Sequence, residues 1–240
     1  MIKSSIVNAV LDEALRTGGD FSELYLQDTE SNTMTMIDGK VENANYKRNV
    51  GAGVRVLKGT RSAYAYSAET SEAALIACAK AAASALKGEK EYSVIPICVD
   101  RIGESFAKIP FSEINNAKRI ELLRRATNAA KSYSAEVTQV VANYLDCDHR
   151  TWVYNSEGVH AEDRRPRVRT AVQAVAMANG EAQTGTCSPG YGMGFEAYNE
   201  KINIDEVGAE AAKTAATMLH APECPAGTVP VVIDGGFGGV

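Results

Sequence analysis

Histidine is scarce in this chain: three in 240 residues, His149, His160 and His220. A hydrolytic or metal site built on imidazoles is poorly supplied from the start. Cysteine is also thin. The five, Cys78, Cys98, Cys147, Cys187 and Cys224, are odd in number, scattered and without a CxxC pair, which excludes a disulfide framework. There is no HExxH pair, no Lys-Ser/Thr of a phosphate-binding P-loop and no GxSxG elbow to expose a serine nucleophile. A basic surplus is missing as well. The net charge of -5 argues against a general nucleic-acid surface. No apolar run is long enough to span a bilayer, and residues 1–20 read as an amphipathic helix rather than a signal peptide. These absences point to a cytoplasmic protein with no membrane and no nucleic-acid partner.

What is present is a repeated architecture. Ser4 to Thr17 places Ile6, Val7, Val10, Leu11, Ala14 and Leu15 on one helical face, and Gly18-Gly19 ends it. Short strands follow at Phe21–Gln27, Thr33–Ile37, Lys40–Tyr46, Val50–Leu57 and Ser62–Tyr66, with Asp38-Gly39 and Lys58-Gly59 as turns. Thr70 or Ser71 caps an alanine-rich helix, Glu72 to Lys87. Gly51 and Gly53 sit inside a strand, where glycine needs a bulge or a close neighbour to justify it.

After a proline-containing connection the pattern restarts. Ser112 is expected to cap a helix reaching Ser132. Strands are expected at Val137–Leu145, Thr151–Tyr154, His160–Met177 and Ala182–Cys187, then a glycine-rich loop, Ser188–Gly194, and a helix, Ile204–His220. Strands grouped between helices, without βαβ alternation, make an α+β fold. The division is two helix–antiparallel meander–helix units, 1–88 and 112–222, joined by a linker at 89–111. Residues 223–240 open a third domain with a buried strand, Val229–Ile233.

The residues with chemistry are few. Cys147-Asp148-His149 is expected to be a polar turn between strands, since two adjacent ligands fall short of the four a structural zinc needs. His160, beside Glu162 and Asp163, is expected at the surface. His220 ends a helix, where the dipole favours a cation. Arg164 to Arg169 reads as a solvated strand face, and Ser188–Gly194 as a plain loop. Cys78 is expected to be a small buried hydrophobe in its helix.

Five segments taken in order resemble the TldD/PmbA (modulator of DNA gyrase) family, in its TldD-type branch. They are Asp20-Phe-Ser-Glu-Leu-Tyr-Leu-Gln27; Gly51-Ala-Gly-Val-Arg-Val-Leu-Lys-Gly59 with Tyr64-Ala-Tyr66; Ser156-Glu-Gly158; Asp163-Arg-Arg-Pro-Arg-Val-Arg169; and Pro225-Ala-Gly-Thr-Val-Pro-Val-Val232. The resemblance implies a cytoplasmic zinc metallopeptidase acting on unfolded or extended peptides, paired with a PmbA-like subunit or self-associated. In that family the zinc is held by two histidines of an HExxxH helix and a later cysteine, with the helix glutamate as base. That helix follows the strand and glycine loop found here at 229–240, so the chain is expected to be the N-terminal, inactive part. No catalytic residue, metal ligand or bound zinc is expected within it. Gly235, Gly236, Gly238 and Gly239 are the expected substrate-adjacent positions, where backbone approaches an extended peptide. The alternative expectation is a non-catalytic, PmbA-like binding or assembly subunit.

Overall fold

A computed structural model describes residues 2–103 and 107–233. The elements run α1 (Ser4–Ala14), β1 (Phe21–Ile37), β2 (Lys40–Lys58), β3 (Arg61–Ser67), α2 (Glu72–Ser84), β4 (Val99–Ile102), a 3-10 turn (Phe111–Glu113), α3 (Asn116–Tyr133), β5 (Val137–Asn155), β6 (Val159–Ala178), β7 (Glu181–Cys187), β8 (Gly190–Tyr191), α4 (Ala197–Glu200) and α5 (Ile204–Leu219). The class is α+β, as expected. No described helix is long and apolar enough to cross a membrane.

The strands are fewer and longer than the sequence suggests. Phe21–Gln27 and Thr33–Ile37 are the two ends of one 17-residue strand, β1. Lys40–Tyr46 and Val50–Leu57 likewise merge into β2, so the first meander has three strands rather than five. In the second half, Cys147-Asp148-His149 is no turn. It lies in the middle of the 19-residue β5, paired to Ser31–Thr29 on one side and to Arg167–Arg165 on the other. Polar residues in mid-strand look like breaks, but a ladder paired on both edges satisfies the backbone regardless of side chain.

The eight described strands form one sheet, ordered β3-β2-β1-β5-β6-β4, with β7 and β8 also on the β6 edge. The β1–β5 ladder, from Glu23–Asn155 to Ile37–Val141, welds the two halves together. Every described pairing is antiparallel except β4 with β6.

The helices pack against one face of the sheet in two groups. Val7, Val10 and Leu11 of α1 and Leu75, Cys78 and Ala79 of α2 cover Leu24, Leu26, Val54 and Val56. Leu122, Leu123 and Ala126 of α3 and Val207, Ala211 and Ala215 of α5 cover Met36, Val140, Val172 and Ala174. Close approach is written in glycine here. A Cβ on Gly208 would stand 2.1 Å from the Ala126 carbonyl oxygen, and one on Gly185 would stand 2.2 Å from that of Ala211. These two positions let α5 lie against α3 and β7.

Local chemistry fixes the helix starts. Ser71 caps α2 by accepting from the Ala74 N–H at 3.4 Å. The expected cap of α3, Ser112, instead falls in the 3-10 turn, and Asn115 does the capping, accepting from Lys118 N–H at 3.0 Å. The connection 89–111 is not a bare linker. Its β4 segment pairs with Val159–Glu162, and Ile95 N–H donates to the Ser156 carbonyl at 2.9 Å. Val229–Ile233 does not form the expected strand. Its described residues pair with no other strand, and Val229, Val231, Val232 and Ile233 are exposed. Pro230 removes a ladder donor from this short run.

Candidate functional site

Two concave regions stand out, one on each face of the sheet. The first lies between the two helix groups. Along β1 the inward alternation persists, but its chemistry changes. Leu24 and Leu26 are buried at one end and Met34 and Met36 at the other, while Asp28, Glu30 and Asn32 occupy the same face between them. Register places Arg48 of β2 beside Glu30, and Arg150, Asp148 and Asp146 of β5 beside Asp28, Glu30 and Asn32. Strand periodicity aims all of these into the gap.

There the charges neutralise one another. Arg48 grips Asp28 with Nε at 2.9 Å and Nη2 at 2.7 Å, holding that carboxyl below the usual range. Arg164 grips Asp148 with Nε at 2.8 Å and Nη2 at 2.6 Å, and Arg150 Nη2 donates to it at 3.3 Å. Burial alone pushes the Asp148 carboxyl up, but its two arginines outweigh that and leave it lowered.

Asp146, 1% exposed, is the deepest member. It accepts from Arg119 Nη2 at 2.9 Å, Tyr144 hydroxyl at 2.7 Å and Asn32 Nδ2 at 2.9 Å. Arg119 spends its other donors on the carbonyls of Ile114 at 2.6 Å and Phe111 at 3.1 Å. Burial raises the Tyr144 hydroxyl pKa well above the phenolic range, so it stays a donor. A cavity of about 250 Å³ opens beside this network, lined by Glu30, Asn32, Tyr46, Ser112 and Arg150 among others. Asp28, Asp146 and Asp148 are gripped by Arg48, Arg119, Arg150 and Arg164, and Glu30 lies 3.6 Å from Arg48 Nε, so the described carboxylates of the gap each face an arginine. Its chemistry is that of an electrostatic clasp.

The second region is on the face away from the helices. Tyr25, Gln27, Asn49, Gly51, Gly53, Tyr64 and Tyr66 border a groove of about 320 Å³. A Cβ on Gly53 would lie 2.1 Å from the Tyr64 hydroxyl oxygen, so this in-strand glycine exists to let the Tyr64 ring cross the sheet. Tyr64 and Tyr66 stack with centroids 6.3 Å apart, and both are exposed. Tyr25 donates to Gln27 Oε1 at 3.2 Å, and burial with the Tyr64 neighbour raises its pKa. Further along, Thr29 Oγ1 and His149 Nδ1 are 2.6 Å apart. Cys147 shares this face, its thiol pKa raised first by burial.

The structure scatters the chemistry-bearing residues. Asp148 points to the helix side while Cys147 and His149 point away, because neighbours on a strand alternate. His160 is not a surface residue as expected. It is 7% exposed, stacked 4.5 Å from the Tyr154 ring, with Nδ1 2.9 Å from Asp100 Oδ1. Strand β4 covers it, and no local signal in the sequence announces that pairing. His220 follows the end of α5, with Nε2 2.9 Å from Glu136 Oε1. Cys78 is buried in α2, as expected, and all five cysteines are free. The loop after Cys187 contributes the short strand β8, paired to Val168 and Arg169. The expected substrate-adjacent glycines Gly235, Gly236, Gly238 and Gly239 lie outside the described residues. Among the described residues no three His, Cys, Asp or Glu side chains converge so as to hold a metal ion. The described residues therefore do not fit a zinc centre. Sequence reasoning missed the Arg119–Asp146 clasp, although the swap from leucine to acid along β1 marks its place.

Two family profiles match in chain order. PmbA/TldA metallopeptidase domain 1 matches residues 22–86, and the PmbA/TldA metallopeptidase central domain matches residues 109–219. A Haemophilus influenzae protein named metalloprotease TldD homolog is 27% identical over 92% of this chain and 47% of its own length. A Methanothermobacter thermautotrophicus metalloprotease is 27% identical over 92% of this chain and 48% of its own. This chain thus spans about half the length of the curated relatives it matches. Two crystal structures share the fold. One is a Bacteroides thetaiotaomicron protein described as a candidate modulator of DNA gyrase (TM-score 0.74, 13% identity, 93% of this chain, 52% of that one). The other is TldE from Thermococcus kodakarensis (TM-score 0.65, 11% identity, 89% of this chain, 47% of that one).

Proposed function

The chain belongs to the PmbA/TldD metallopeptidase family, and from that premise we propose that it is the frame of a zinc-dependent peptidase acting on unfolded or extended polypeptides. The observation that carries this reading is the ordered match to the first and central domains, 22–86 and 109–219, joined here by one sheet whose second face carries no described helix. In this reading residues 1–88 and 112–222 are the two framing units, and residues 223–240 lead toward the catalytic part. The metal would sit on residues beyond this frame, where it would supply a Lewis acid able to activate water toward a peptide carbonyl. The frame's own residues hold geometry. The Arg119–Asp146 clasp fixes α3 against the sheet, and the open face is left for polypeptide or a partner subunit. Five free cysteines suit a reducing cytoplasm.

The test is to read the gene past codon 240 and measure zinc in both products. A following HExxxH helix and later cysteine, with one zinc per longer protein and none per 240-residue chain, supports the proposal. Tight one-to-one zinc in the 240-residue chain overturns the placement of the metal. A stop codon directly after Val240 overturns the catalytic reading and leaves a binding or assembly subunit.

A further inference from the structure

The open face of the sheet carries a charge opposite to that of the whole chain. Register assigns Lys47, Arg55, Arg101, Arg165, Arg167 and Arg169 to it, against the carboxylates Glu23 and Asp163. The chain as a whole carries -5. The surplus is concentrated in one column, because Arg165, Arg167 and Arg169 occur at alternate positions of β6 and all three are exposed. Only Arg165 in that column has an acidic partner, Asp163 Oδ2 at 2.5 Å. Arg169 donates to the Ser188 hydroxyl at 2.8 Å. Arg167 has no hydrogen-bond or ion-pair partner among the described residues. Beside the column the face is low. Thr29, Ser31 and Thr33 of β1 stand across from His149, Cys147 and Leu145 of β5, which in turn stand beside Arg165, Arg167 and Arg169.

We propose that this arginine column is a docking strip for the carboxylates of an extended acidic peptide. Alternate positions on a strand are about 6.6–6.8 Å apart, and an extended peptide presents its own alternate side chains at the same repeat. Guanidinium groups match carboxylates in a two-pronged geometry. The strip rests on the reading of the chain as a peptidase frame, and it narrows the ligand to acidic sequences. A single-stranded nucleic acid fits less well. It needs aromatic rings interleaved with cations, whereas Tyr64 and Tyr66 lie on β3, four strands away from β6, stacked on each other.

The experiment is fluorescence anisotropy on the 240-residue chain with a labelled octapeptide of alternating Glu and Thr. The comparison probes are an all-neutral Ser/Thr octapeptide and an oligothymidylate of eight nucleotides. The acidic peptide is expected to bind, to weaken as salt rises, and to lose about tenfold in affinity in Arg167→Glu, with a larger loss in Arg167→Glu/Arg169→Glu. Lys201→Glu, a charge reversal near α4, is expected to change nothing. No binding of the acidic peptide, equal binding by the double variant, or tighter binding of the oligothymidylate each overturns the strip. Binding of the neutral peptide alone refutes the strip yet leaves the peptidase reading standing.

Discussion

The two faces of the sheet solve the same problem in opposite ways. Both carry charge, and side chains alternate between them along β1, β6 and β5 beyond its bulge at Val137/Gln139. On the helix side Asp146 and Arg119 are enclosed, Asp148 and Arg164 are half-buried and Arg48 and Arg150 reach solvent, and each of the carboxylates Asp28, Asp146 and Asp148 is gripped by an arginine. On the open side the arginines of β6 stand in solvent, and Arg167 has no described partner. Enclosure forces pairing, because an unpaired buried charge costs far more than an exposed one. Exposure permits a surplus, and a surplus is what an incoming ligand can use.

This contrast breaks most visibly at Asp146. Asp146→Ala is expected to destabilise the fold by about 3–5 kcal/mol, since it strands Arg119 in a buried site. Urea denaturation reads the loss as a lower midpoint. A midpoint within error of the parent would mean the clasp is not a structural element. Next in size is Gly208→Ala, whose new methyl collides with the Ala126 backbone rather than with a flexible side chain. Overpacking of this kind costs about 1–3 kcal/mol, and a thermal melt checks it. Gly53→Ala is the milder counterpart, because only the Tyr64 side chain must move. Its cost should fall below that of Gly208→Ala and shrink further when Tyr64→Ala is added.

Acid sharpens the comparison. The Asp28 and Asp148 carboxyls are lowered in the folded state by Arg48 and by Arg164 with Arg150. A group lowered on folding contributes its stability above the unfolded value, about 3.9 for Asp. That contribution is lost as pH falls from there through the lowered folded value. Denaturation midpoints measured from pH 6 down to pH 2 should therefore drop, and drop less in Asp148→Asn. An identical slope in the variant would remove Asp148 from the account. The smallest expected effect is on the open face. Arg167→Glu/Arg169→Glu should shift stability by no more than about 0.5 kcal/mol, even where it abolishes peptide binding. A large loss of stability there would mean that the column supports the fold.

Much of the fold was readable. The amphipathic spacing of Val7, Val10, Leu11 and Ala14 predicts α1, and the alanine-rich stretch after Ser71 predicts α2. Asp38-Gly39 marks the β1–β2 hairpin turn, where Asp38 has φ 48° and Gly39 φ 84°. What misled was polarity in mid-strand. Asp28-Thr-Glu-Ser-Asn32 and Cys147-Asp-His149 read as interruptions, because local propensity sees side chains and not the strands lying on either side. Val229–Ile233 misled in the other direction, since an apolar run forms a strand only where another strand meets it. The clasp escaped for a similar reason: Arg119 and Asp146 are separated by the whole turn from helix to strand.

The sequence alone determined the α+β class, the helix faces, the hairpin turns at Asp38-Gly39 and Lys58-Gly59 and the ordered segments of its family. These depend on neighbours within a few residues, where periodicity and backbone preference act directly. Tertiary structure decided that two halves share one sheet, that β4 covers His160, that Asp28, Asp146 and Asp148 are each gripped by an arginine, and that three arginines outside stand in line. Those outcomes depend on which strand lies beside which, and register between distant segments is set by packing that no local stretch encodes.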